Sequence, residues 1–162
     1  MSGHVLVAWY SHSGHSKAAA AAIASALGAD LERIEPLGRG PKGLTGFIRA
    51  GFASLCGNAW PVKPLSSAIE SYGLVVICAP VWAGRLAPPA RGWLNLARPR
   101  IKAVAACATV GGTKGTKFFS DVETAAGKSA LATAVITEEH RKSGADQRII
   151  DCFIADLAWP AA

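Results

Sequence analysis

Residues 8–16 read AWYSHSGHS, directly after the apolar run Val5-Leu6-Val7 and directly before the alanine-rich KAAAAAIASAL. Ser11, Ser13 and Ser16 place three hydroxyls around Gly14, between a strand pattern and a helix pattern. The chemistry this suits is the holding of an anion. Hydroxyls donate hydrogen bonds, glycine lets the backbone close around a charged group, and free amides at a helix start favour negative charge. An ordinary serine-rich helix cap is the plainer alternative.

Two further stretches carry unusual residues where an apolar run ends. Pro80-Val81-Trp82-Ala83-Gly84-Arg85 follows GLVVICA, and Thr109-Val110-Gly111-Gly112-Thr113 closes KAVAACATV. Pro80 fixes the chain as it leaves a sheet, Trp82 offers a flat apolar face, and Gly84 permits a tight turn. A planar heterocycle could lie against such a loop, with simple loop packing as the alternative. The glycines after Thr109 let backbone amides approach a ligand closely.

The elements that must position these residues follow from periodicity. Strands are expected at 4–9, 30–36, 73–79, 102–110 and 130–136, and helices at 15–28, 87–97, 117–127 and 145–158. Strands alternating with helices, and apolar on both faces, predict a parallel sheet covered on each side. In such a sheet ligands bind beyond the carboxyl ends of the strands, where strand order reverses. The three stretches above fall at the ends of the first, third and fourth strands.

Between Leu37 and Tyr72 the connection is long. Leu44, Phe47, Ile48, Gly51, Phe52 and Leu55 share one helical face, expected to cover the sheet. The flanks of this helix, within 38–64, read as surface loops. Their Arg39, Lys42 and Lys63 could draw in an anionic substrate, and Trp60 could cap a ligand or meet a second subunit in a homodimer.

The 162 residues suit a single domain, 1–162, and 51% apolar content excludes a disordered chain. Net charge is +6, but the 17 Lys and Arg are scattered, which reads as solvated surface with no nucleic-acid partner. No run approaches the ~18 apolar residues of a membrane span, and no signal peptide is visible, so a cytoplasmic location is expected. Of the four cysteines, Cys78 and Cys107 sit in apolar runs as buried thiols. Gly127-Lys128-Ser129 echoes a phosphate-binding loop but precedes a strand, no zinc-type ligand spacing involves His4, His12 or His15, and the hydrolase elbow is missing.

On YSHSGHSK, YGLVVICAPVWAGRLAPPARGWL and, more loosely, ATVGGT, the chain resembles the flavodoxin-like family of FMN proteins. The resemblance implies a doubly wound five-stranded parallel sheet of order 2-1-3-4-5 with helices on both faces, and FMN as cofactor. It implies that Ser11, Ser13 and Ser16, with the backbone of His12, Gly14 and His15, hold the phosphate. Pro80, Val81, Trp82, Ala83 and Gly84 would line the isoalloxazine, and Thr109, Gly111 and Gly112 would face its pyrimidine side. His15 stands where the family usually has asparagine, and Val110 where a small polar residue is common. Electron-carrier flavodoxins are typically acidic, whereas this chain is basic. The expected function is therefore an FMN-dependent oxidoreductase passing electrons from NAD(P)H to a quinone-like or other small acceptor. An FMN electron carrier, or an interaction module without cofactor, are the alternatives.

Overall fold

The computed structural model describes residues 3–38, 42–112 and 117–160, with Phe47 described in its backbone alone. Arg39 and Thr113 lie outside the described residues. Along the chain run β1 (Val5–Trp9), α1 (His15–Leu27), β2 (Asp30–Arg33), α2 (Gly43–Leu55), β3 (Leu74–Trp82), β4 (Arg85–Leu86) and α3 (Pro88–Ala97). Then come β5 (Val104–Val110), α4 (Phe118–Ala126), β6 (Ala130–Thr137), α5 (Glu138–Ser143) and α6 (Asp146–Leu157). Five parallel strands lie in the order β2-β1-β3-β5-β6. Setting aside the two-residue β4, which pairs antiparallel with the end of β3, this is the expected 2-1-3-4-5 order.

Strand chemistry follows position in the sheet. β1, β3 and β5 have a neighbour on each edge and helices on each face, so Leu6, Val7, Val76, Ile77 and Ala106 are wholly buried. The edge strands are different. β6 buries Ala132, Ala134 and Ile136 but turns Leu131 and Thr133 outward, so apolar character on both faces belongs to the inner strands alone. One face of the sheet packs on α3 and α4 through Leu6, Ile77, Trp93, Leu94, Phe118 and Val122. The other packs on α1 and α6 through Val7, Val76, Ala20, Ile23, Ile150 and Phe153. Each fully buried Leu, Ile or Phe contributes about 1.5–3 kcal/mol over exposure. Cys78 and Cys107 are buried, reduced and in register across β3 and β5. Their mutual hydrogen bond, and then burial, push the Cys78 thiol well above the usual range, which leaves it unreactive.

Three expectations are corrected. β2 ends at Arg33, short of Pro36. β3 does not stop before Pro80: it continues through Trp82, with Pro80 in register with Thr109. β1 offers β3 no partner beyond Cys78, so Pro80 is paired on one side only, where a missing N–H is tolerated. The chain then reverses at Ala83 (φ 50°) and Gly84 (φ 74°) into β4, a two-residue hairpin turn with both central residues at positive φ.

The third correction concerns α2. Its apolar face does not cover the sheet: Leu44, Ile48, Phe52 and Leu55 are exposed, at 77%, 62%, 66% and 58%. Among the described side chains of this helix, the buried ones are the small Ala50 and Ser54. The Ser54 hydroxyl donates to the carbonyl oxygens of Trp82 (2.7 Å) and Leu86 (3.2 Å). These bonds hold the helix to the β3–β4 hairpin and leave the apolar face outward.

Candidate functional site

At the carboxyl ends of the parallel strands, a cleft of about 440 Å³ is lined by Ser11, His12, Ser13, His15, Ser16, Pro80, Val81, Trp82, Thr109, Val110, Gly111, Glu138 and Arg141. That size lies within the ~300–1,000 Å³ of small-molecule sites. The three stretches singled out from the sequence therefore meet in one place. Gly14, Ala83, Gly84 and Gly112 complete their loops but are not part of the lining.

The helix-cap reading of the serines fails on geometry. Gly14 is the N-cap of α1, at φ 93°, and no side chain caps the helix. Ser11 instead accepts a hydrogen bond from the Gly14 amide at 2.8 Å, closing the loop on itself. The amides of His15, Ser16 and Lys17 in the first turn have no intrahelical acceptor, and the cleft wall includes His15 and Ser16. Ser16 has a second duty. Its buried hydroxyl lies 2.6 Å from that of Thr109, tying the loop after β1 to the end of β5. Ser13 is exposed on the loop.

The apolar wall is built from aromatic rings. Trp82 meets Tyr10 edge-on, with ring centroids 5.7 Å apart, and Trp60 with centroids 6.2 Å apart. Trp60 thus packs on Trp82 within this chain, and its amide donates to the Pro88 carbonyl at 3.1 Å. The hairpin bearing Trp82 is fixed from behind. Arg85 donates through Nε (2.7 Å) and Nη2 (2.6 Å) to the two oxygens of Asp121, which also accepts from Arg91 Nη2 (2.8 Å) and the Leu86 amide (3.1 Å). Burial alone would raise the Asp121 carboxyl. The hydrogen bonds from Arg85 and Leu86 and the charges of both arginines outweigh it and hold the carboxyl below its usual range.

Sequence reasoning missed the residues supplied by α5. Thr137 accepts from the His140 amide, and His140 Nδ1 accepts from the Thr137 amide, both at 3.1 Å. This reciprocal cap starts α5 directly after β6 and brings Arg141 to the cleft. Arg141 lines the cleft, and its Nη1 is buried and has no hydrogen-bond partner among the described residues. A buried guanidinium nitrogen left unpaired, on a residue that lines the cleft, calls for an acceptor. Glu138, on the same rim, is paired with Lys142 at 2.7 Å, and that hydrogen bond lowers its pKa. Of the flanking cations, Lys63 is paired with Glu35 at the surface.

No protein-family model matches the chain, and no curated protein matches it by sequence. Solved structures do. A flavoprotein from Lactobacillus acidophilus NCFM, crystallised in complex with FMN, superposes with a TM-score of 0.70 over 89% of this chain and 98% of that one, at 20% identity. The apo-form of the flavoprotein from the same organism gives 0.65 over 88% and 97%, at 22% identity. A flavodoxin, WrbA-like protein from Agrobacterium tumefaciens gives 0.61 over 96% and 99%, at 12% identity. The fold is flavodoxin-like. In a flavodoxin-like sheet the reversal of strand order falls between β1 and β3, and the cleft with its open amides and Trp82 lies at that point.

Proposed function

We propose that the cleft binds FMN and that the protein is an FMN-dependent oxidoreductase, taking two electrons from NAD(P)H and passing them to a quinone-like or other small acceptor. The observation that carries the reading is the pairing of uncapped α1 amides with the unpartnered Nη1 of Arg141 in one cleft. Both groups seek an anion, and the Trp82 wall beside them suits a planar apolar ring. The residues fit a phosphorylated flavin. Similarity to a flavoprotein crystallised with FMN agrees with this.

In this reading Ser11, Ser13 and the backbone of His12, His15 and Ser16 hold the phosphate, with Arg141 supplying charge, while Gly14, whose amide is bonded to Ser11, shapes the loop around it. Ser16 and Thr109 lock two walls together, and Gly111 and Gly112 leave room for backbone contact. A Cβ built at either glycine meets no atom of the described residues within 4 Å. Pro80, Val81 and Trp82 place an apolar face and backbone polar groups against the ring, and Ala83 and Gly84 form the turn that carries them. FMN, when bound, would supply the two-electron redox chemistry between a nicotinamide donor and a quinone-like acceptor. The protein's share is placement and exclusion of water. The net charge of +6 favours this enzyme reading over an acidic carrier.

The test is a spectrum. Protein loaded with FMN should show flavin bands that bleach on anaerobic addition of NADPH and return on addition of a quinone. Flavin bands that NADPH leaves unchanged would place the protein with the carriers.

Two substitutions probe the parts. Ser13→Asp sets a carboxylate beside the phosphate, and like charges 4 Å apart repel by about 1 kcal/mol in water and about 4 kcal/mol near a protein surface. FMN affinity in a fluorescence titration should fall by roughly tenfold or more; an unchanged affinity removes Ser13 from the site. Trp82→Ala should cost about 0.5–1.5 kcal/mol of ring contact beyond area loss and shift the bound-flavin spectrum. If spectrum and affinity both match the parent, Trp82 serves packing alone.

A further inference from the structure

The outward face of α2 is the largest unexplained feature of the surface. Leu37, Leu44, Ile48, Phe52 and Leu55 are all more than half exposed and lie within nineteen residues of one another. Leu44, Ile48, Phe52 and Leu55 fall on one stripe of the helix, at spacings of four, four and three. Charge on this segment has one sign. From Pro36 to Ile69 there is no Asp or Glu, while Arg39, Lys42, Arg49 and Lys63 are cations. Lys63 is paired with Glu35, whereas neither Lys42 nor Arg49 has an ion-pair partner among the described residues.

We infer that this face docks on an anionic lipid bilayer. An apolar helical stripe edged by unpaired cations is the arrangement of helices that lie in a membrane interface, burying apolar side chains while basic ones meet headgroups. A small molecule is a poorer occupant. The groove beside α2, about 740 Å³, includes Ile48 and Phe52 in its wall but neither Leu44 nor Leu55, so a ligand seated there leaves half the stripe bare. A second copy of the chain is poorer too, because two such faces bring Lys42 and Arg49 together with no carboxylate from either segment. No helix among the described residues is long and apolar enough to cross a membrane, so the contact is peripheral.

The inference goes beyond the proposed redox function and adds to it. Ser54, on the inner side of α2, is hydrogen-bonded to the carbonyl of Trp82. The docking face is thereby joined to the loop that walls the cleft, which suits an acceptor delivered from lipid.

The experiment uses cofactor-free protein, so its outcome does not depend on FMN binding. Protein is sedimented with vesicles of phosphatidylglycerol and phosphatidylcholine in equal parts, and with phosphatidylcholine alone, at low and high salt. Expected is co-sedimentation with the anionic vesicles at low salt, falling as salt screens the headgroups, with little on neutral vesicles. Phe52→Glu should lower partition at least tenfold, and Lys42→Gln and Arg49→Gln about fivefold each. These side chains are exposed, so circular dichroism should be unchanged and loss of fold is excluded as the cause. Absence of co-sedimentation at low salt overturns the inference, as does equal binding by Phe52→Glu. A dimer in sedimentation velocity that Phe52→Glu dissolves, without vesicle binding, assigns the face to a second copy instead.

Discussion

Gly92→Ala is expected to unseat the loop that carries Trp60, although it adds one methyl group to a helix. A Cβ built on Gly92 lies 1.9 Å from the backbone carbonyl oxygen of Trp60 and 3.1 Å from its carbon. No side-chain rotation can relieve a clash with backbone, so α3 and the loop must part by more than an ångström. The loop is held there by the Trp60 amide on the Pro88 carbonyl and by the Trp60 ring on Trp82. Separation breaks both contacts and opens the buried seam around Val62 and Trp93. Overpacking of a tight core costs typically about 1–3 kcal/mol, and a backbone clash belongs at or above the top of that range. Propensity pulls the other way, since alanine favours a helix interior by about 1 kcal/mol over glycine. The sign of the measured change therefore decides. A fall in Tm with altered tryptophan fluorescence supports the close approach; a rise in Tm refutes it.

Asp121→Asn should be comparably harmful, and its effect should fade with acid. The substitution leaves Arg85 and Arg91 facing each other without the carboxylate that both contact, and Arg91 is 7% exposed. Breaking a buried ion pair by removing one partner costs about 3–5 kcal/mol. The low end applies here, because the Arg85 side chain is 23% exposed and water screens part of the effect. A loss near 3 kcal/mol corresponds to about 6–12 °C in Tm for a domain of this size. Since the folded carboxyl titrates below its ordinary value, its stabilisation is present above the unfolded pKa, about 3.9, and is lost as pH falls toward the folded value. The Tm gap between parent and Asp121→Asn should be widest near neutrality and narrow below about pH 4. A gap that stays constant down to pH 2 would mean that packing, not charge, connects α4 to the hairpin.

How much of this was legible in the sequence varied by element. The inner strands announced themselves, since Val75 to Ala79 and Val104 to Ala108 are apolar without interruption and only a strand buried on both faces needs that. The strand ends announced the cleft, because serines, glycines and a tryptophan at three such ends have little packing reason to be there. The true end of β3 was hidden by Pro80, which reads as a stop unless β1 is known to have ended already. α5 was hidden for a different reason: EEHRKS has no apolar face, so periodicity is silent. Its one local signal is Thr137 three residues before His140, a cap pair with histidine in place of the usual Glu or Gln. Arg141 was missed with it. The direction of α2 could not be read from period at all. A stripe of Leu44, Ile48, Phe52 and Leu55 states that one face is apolar, whereas the hydrogen bonds of Ser54 decide which face turns inward.

Everything proposed for the cleft depends on a phosphate seated among the open amides of α1 and Arg141. The direct measurement is a pair of fluorescence titrations of the cofactor-free protein, one with FMN and one with riboflavin, which has the same ring system and no phosphate. FMN should bind at least tenfold more tightly than riboflavin, and the difference should shrink in Arg141→Gln, where a charge-assisted hydrogen bond is lost. Equal affinity for the two flavins, or no binding of either, would contradict the phosphate cradle.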